Sequence, residues 1–215
     1  RSGRPFFLGC HIFGPHLPYY LPVSYAAMYD PREVVLPGGF RETFAGKPFV
    51  HQLYSRLWAC DSLSPDDWRR IIAMYWGYVT MIDEQIGRVL AALGECGLVD
   101  ETAVFFATDH GSFEGSHRLN DKGPAAYDDI YRLPFLARLP GGRSGEAEDR
   151  FVTLMDLTAT FIDLAGLPEP GHLDGRSLLP LLAGERVEDW REEVCLEFHG
   201  HQIPYAQRTI RTKDY

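Results

Sequence analysis

The sequence predicts an α/β fold: a mainly parallel sheet sandwiched by helices. Three observations carry that prediction. Short apolar runs at 5–13, 102–107 and 133–138 are bounded by Gly, Pro and His, as buried strands are. A stretch of about 30 residues between the first two repeats its apolar residues at helical spacing. A second amphipathic stretch follows the third run, and this alternation of strand and helix is that of an α/β sheet.

Composition sets the outer limits. The 215 residues are 45% hydrophobic and 24% charged, which is ordinary for a globular chain and excludes disorder. A domain of this size buries roughly 70% of its unfolded surface, so a substantial core is available. Gly (21) and Pro (15) exceed the usual share, which favours shaped loops over a plain helical bundle. The net charge is −9 and no basic stripe exists, which argues against nucleic acid as a partner. An anionic substrate would therefore need local positive charge. No run of 18 apolar residues exists to form a transmembrane helix, so no membrane partner is expected. Cys10, Cys60, Cys96 and Cys195 lie far apart, which suits a reducing compartment better than a disulfide framework or a zinc site.

Taken in order, residues 5–13 read as a buried strand that ends at Gly14-Pro15-His16-Leu17-Pro18, which cannot be regular structure. Residues 19–64 mix Pro, Gly and aromatics without a period and read as a long functional loop region. Ser64-Pro65-Asp66-Asp67 is a helix start, with Ser as N-cap, Pro at N1 and acids in the first turn. Ile71, Tyr75, Tyr78, Ile82, Ile86, Val89, Leu90 and Leu93 then mark one core-facing stripe, ended by Gly94 or Gly97. Residues 102–107 are the clearest strand, expected to be central and buried. Residues 133–138 form the next strand, and residues 144–149 a charged loop. Residues 153–165 form an amphipathic helix ended by Gly166. There Asp156 reads as a cap worth about 1 kcal/mol. A turn at Asp174-Gly175 and a short helix to Leu182 follow, then strands at 193–198 and 206–212.

Ligands of open α/β sheets bind at the carboxyl ends of strands. Asp109 and His110 stand at that end of the 102–107 strand, and Gly111 allows a sharp turn behind them. A carboxylate and an imidazole are metal ligands, but an isolated Asp-His-Gly reads equally well as a capped turn. Lys122, in the polar loop that follows, offers an ammonium to an anionic oxygen, or is a solvated surface lysine. His16 is a general acid, an anion contact, or a turn residue. His117 is weighed below these as a supporting residue, and His11 belongs to its strand.

Together these pieces resemble the sulfatase family of the alkaline phosphatase superfamily. The likeness runs through Phe13-Gly14-Pro15-His16-Leu17-Pro18, Tyr75 to Leu93, Thr108-Asp109-His110-Gly111, Gly115-Ser116-His117 and Lys122-Gly123. It continues in Tyr127 to Pro134, Leu139-Pro140-Gly141, Asp156-Leu157-Thr158-Ala159-Thr160 and Asp174-Gly175-Arg176-Ser177-Leu178. No one piece is decisive; their order and spacing are specific.

The resemblance implies an alkaline-phosphatase-like fold, with 1–185 as part of a catalytic domain and 186–215 as the start of a small antiparallel C-terminal subdomain. It implies that Asp109 and His110 are metal ligands and that Lys122 and His16 are catalytic. Lys122 would contact the ester oxygen, and His16 would lie near the leaving group. It implies a divalent metal, with Ca²⁺ ahead of Mn²⁺ or Mg²⁺, a small-molecule sulfate ester as substrate, and a formylglycine nucleophile. That nucleophile is made in a Cys/Ser-x-Pro/Ala-x-Arg motif, which none of the four cysteines fits. The family's first strand, with its pair of Asp ligands, is also missing. The chain opens at Arg1-Ser2-Gly3 and stops at Thr212-Lys213-Asp214-Tyr215, so the expectation is a fragment, inactive alone. Phosphonate or phosphate ester hydrolysis is the alternative chemistry, because a Lys twelve residues after the Asp-His pair resembles phosphonate monoester hydrolases equally. A non-catalytic module that keeps the fold is the third reading.

Overall fold

The computed structural model describes residues 4–200 and 202–215. In chain order the regular elements are α1 (Val23–Ala26), α2 (Phe49–Leu57), α3 (Pro65–Glu95), β1 (Val104–Ala107), α4 (Asp128–Tyr131), β2 (Phe135–Arg138), α5 (Leu154–Leu164), α6 (Leu179–Leu182), β3 (Glu193–Phe198) and β4 (Gln207–Thr212), joined by loops and single 3₁₀ turns.

The long helix α3 starts and stops where its sequence dictates. Asp67 N–H donates to Ser64 Oγ (3.2 Å) and Ser64 N–H to Asp67 Oδ2 (3.0 Å), so two otherwise orphaned donors satisfy each other's side chains. At the far end Gly97 adopts φ +63°, a left-handed conformation that suits glycine. Leu98 N–H then bonds the Leu93 carbonyl and Gly97 N–H that of Gly94, which closes the helix. The buried stripe differs from the one expected. It is centred on Trp68, Ile72, Ala73 and Gly77 in the first half, while Val89 and Leu90 are exposed. At Gly77 a Cβ would meet the Tyr25 carbonyl oxygen at 2.2 Å, so α1 crosses α3 as closely as a bare Cα permits.

Two sequence-based strands need correction. Residues 5–13 form no strand and lie open, with Phe7, Leu8 and Phe13 all more than 70% exposed. An apolar run becomes a strand only beside another strand, and none of the described residues pairs with it. The 102–107 run does contain β1, but β1 is half-buried rather than central. It pairs antiparallel with β2, Val104 opposite Arg138 and Ala107 opposite Phe135. Residues 108–134 form a folded-back loop with one short helix, and that return suffices for an antiparallel partner; a parallel one would need a full crossover. Within the described residues the other sheet is the β3–β4 hairpin, also antiparallel.

The loop region 19–64 hides α2. Its Val50, His51, Tyr54 and Ser55 are buried at helical spacing. Val50 and Tyr54 join Phe113, Leu119, Ile130 and Ile203 in the largest core cluster. That cluster lies directly beneath the loop that follows β1, and so fixes it from below. A second cluster gathers Leu178, Leu181 and Trp190 at the start of the C-terminal hairpin. Asp156 is wholly buried beside it. Arg191 grips it with two bonds (2.5 and 2.7 Å), and the N–H groups of Thr153 (2.7 Å) and Arg176 (2.8 Å) donate to it. Its role is therefore far larger than a helix cap, because it ties α5 to the hairpin.

Candidate active site

The loop from Asp109 to Gly123 is shaped by unusual backbone. Glu114, His117, Arg118 and Asp121 all take positive φ (39–57°), conformations that cost about 1–3 kcal/mol each outside glycine. Such strain persists only where surroundings enforce it. Here Phe113 N–H bonds the Asp121 carbonyl (2.9 Å), Gly115 N–H bonds Leu119 (2.9 Å), and Tyr54 donates its hydroxyl to the Lys122 carbonyl. Gly111 is needed for space rather than for a sharp turn. A Cβ there would meet the Asp129 carbonyl oxygen at 1.9 Å, and Gly111 N–H bonds Ile130 O at 2.9 Å.

Lys122 Nζ lies 2.6 Å from His16 Nε2 and 3.2 Å from Asp121 Oδ1. His16 Nδ1 lies 2.6 Å from the Leu17 carbonyl, which can only accept. The network therefore assigns the proton to Nδ1 and leaves the Nε2 lone pair facing the ammonium. Asp121 is buried, so the lysine sits between a carboxylate held by the fold and a histidine on a different loop. The His16 and His110 rings are 6.2 Å apart, edge to face.

His110 follows the same rule. Nδ1 meets the Gly111 carbonyl at 2.8 Å, which assigns a proton there and turns Nε2 toward Asp109 Oδ2, 3.7 Å away. Asp109 is largely exposed, its side chain 87% accessible. An imidazole fixed by a backbone carbonyl, beside an open carboxylate, offers the two donor types that divalent cations bind. Among the described residues no cluster of three or more such ligands occurs.

His117 points elsewhere. It stacks on Tyr127 (3.9 Å between centroids) and lies 2.8 Å from Glu42 and 3.5 Å from Asp129. Sequence reasoning passed over Tyr19, Glu114 and Asp121. Tyr19 donates to Glu114 Oε1 at 2.7 Å and thereby links the His16 loop to the Lys122 loop. Asp121 adjoins Lys122, which was a usable signal; nothing local marks Glu114, whose partner lies 95 residues away.

The model of the family described as Sulfatase matches residues 1–167. The multifunctional alkaline phosphatase superfamily protein PehA of Trinickia caryophylli is 31% identical over 223 aligned positions, covering 96% of this chain and 43% of that protein. An arylsulfatase of Clostridium perfringens is 32% identical over 196, covering 89% of this chain and 40% of the relative. The solved phosphonate monoester hydrolase SpPMH from Silicibacter pomeroyi superposes with a TM-score of 0.77 at 33% identity, covering 85% of this chain and 38% of that one. The chain thus spans about two-fifths of the length of these proteins.

Proposed function

The chain belongs to the sulfatase family of the alkaline phosphatase superfamily, and on that premise we propose that the whole protein hydrolyses a small-molecule sulfate ester. The contact between Lys122 Nζ and His16 Nε2, beside the His110 ring, carries the reading. Lys122 directs one Nζ–H toward the Nε2 lone pair of His16. A proton of this pair can be presented to the departing ester oxygen, and the ammonium offsets charge that develops on the transferred group. Asp121 holds the ammonium in place.

Asp109 and His110 would hold the divalent metal, Ca²⁺ first on the hard carboxylate. His110 Nε2, 3.7 Å from an open carboxylate oxygen, supports that assignment. When bound, the metal supplies Lewis-acid stabilisation of anionic oxygens. Formylglycine, the family's nucleophile, has no precursor motif in these 215 residues, and no residue here is assigned that role. Residues 1–185 would belong to the catalytic domain, and 186–215 would open a smaller subdomain around the β3–β4 hairpin.

The likeness to SpPMH favours phosphonate monoester hydrolysis as a second reading. A paired assay of the whole protein on an aryl sulfate and a phenyl phosphonate monoester separates the two. Higher kcat/KM on the sulfate supports the main reading, higher kcat/KM on the phosphonate the second, and turnover of neither removes both.

A further inference from the structure

Glu114 is built at a cost the rest of the loop does not explain. The residue is only 7% exposed, its backbone sits at φ 39°, and its buried Oε2 has no hydrogen-bond partner. Burial, the nearby Asp121 adding to it, holds the carboxyl above its ordinary range although Ser112 and Tyr19 both donate to it. Buried polar atoms left unsatisfied are rare and call for an explanation.

The other oxygen suggests one. Oε1 accepts from Ser112 Oγ at 2.6 Å and from Tyr19 OH at 2.7 Å. Ser112 and Glu114 belong to the loop that carries Asp109, His110 and Lys122; Tyr19 lies three residues beyond His16. Between Tyr19 and His16 stand Leu17 and Pro18, and the proline ring locks its own φ, so a fixed tyrosine leaves His16 little freedom. The Tyr19 ring is itself aimed by Tyr75 (6.0 Å) and Tyr78 (6.3 Å) of α3. Behind the loop, a Cβ at Gly14 would strike Tyr78 and Ile82 at 2.7 Å, so this strip lies flat on the helix. Among the described residues no shared sheet joins the two loops.

We propose that Glu114 is a positioning residue which, through Tyr19, holds the His16 loop in register with Lys122. Its use for catalysis rests on the reading of His16 and Lys122 as the reacting pair; the geometric claim does not. The Tyr19 hydroxyl aligns the loop, the buried carboxylate oxygen receives it, and Ser112 braces that oxygen from the other side. His16 then meets Lys122 with its Nε2 lone pair forward.

Nitrogen-15 NMR of the histidine rings tests this directly, with His16 assigned by the signal lost in His16→Gln. In the unaltered protein the His16 nitrogens should report one tautomer, protonated at Nδ1. In Tyr19→Phe and Glu114→Leu they should move toward the solvent-averaged mixture, by equal amounts, and the double variant should move no further. Glu114→Gln keeps an oxygen acceptor and should keep the single tautomer. Thermal melting of each variant accompanies the spectra. Tyr19→Phe deletes one oxygen atom and decides the matter if Glu114→Leu fails to fold. A His16 signal unchanged in Tyr19→Phe overturns the proposal, as does Glu114→Gln shifting it as far as Tyr19→Phe. In the whole protein Tyr19→Phe should lower kcat about tenfold with KM little changed. If the NMR contrast holds but the protein turns over neither ester, the functional reading fails and the positioning role stands.

Discussion

At the scale of single residues, the ammonium of Lys122 is the sharpest test. It is mostly covered but belongs to no apolar core cluster, so Lys122→Ala removes no core packing. In the whole protein it should cut kcat by about 10²–10³, the usual loss when one charge-stabilising donor is removed. The melting temperature should stay within a few degrees. His16→Ala should lose most on esters with poor leaving groups, read as a steeper dependence of rate on leaving-group pKa. Asp156 is the opposite case. Asp156→Ala strands Arg191, whose side chain is only 15% exposed, and removing one partner of a buried pair costs about 3–5 kcal/mol. It should lower stability in urea while kcat per folded molecule survives. Burial raises the Asp156 pKa, but the Arg191 bonds and the N–H groups of Arg176 and Thr153 outweigh it, so the folded value lies below the ordinary one. The unfolded chain therefore binds the proton more readily. The stabilisation is complete above the ordinary carboxylate pKa of about 3.9 and fades as pH falls through the lower folded value. Asp156→Asn should flatten that acid limb of the stability curve.

At the scale of elements, two glycines separate conformational freedom from space. Gly87 lies inside α3 with nothing within 4 Å of a Cβ, so Gly87→Ala should stabilise by about 0.5–1 kcal/mol. Gly111→Ala would drive a methyl into the Asp129 carbonyl, and the loop must move to admit it. We expect a lower melting temperature and a changed His110 ring environment by NMR. A Gly111→Ala variant as stable as the parent would refute the close approach. The loop's dependence on α2 explains why its shape was not legible in sequence. Phe113 and Leu119 look like isolated apolar residues among polar ones, and only Val50 and Tyr54, more than fifty residues earlier, give them a core to enter.

At the scale of the whole molecule, cation binding is the measurement that matters. Two protein ligands fall short of the 6–8 oxygens that Ca²⁺ takes, so calorimetry on the 215-residue chain should find binding weaker than about 1 mM, with negligible aryl sulfate turnover. Tight binding would mean further ligands that the local geometry does not supply. The sequence alone determined what depends on neighbours along the chain. The Ser64–Asp67 capping box, the left-handed glycines 97 and 166, and the bounds of β3 follow from residues within a few positions of each other. So does the order of the motifs, by which the family was recognised. Tertiary structure decided whatever needs a distant partner. Whether an apolar run is a strand depends on what lies beside it, so residues 5–13 stay open and β1 pairs antiparallel. Whether Asp156 is a cap or a buried anchor depends on Arg191, 35 residues on. The approach of His16 to Lys122 spans 106 residues, and local preference carries no information about a contact closed over that distance by α2, α3 and one buried carboxyl.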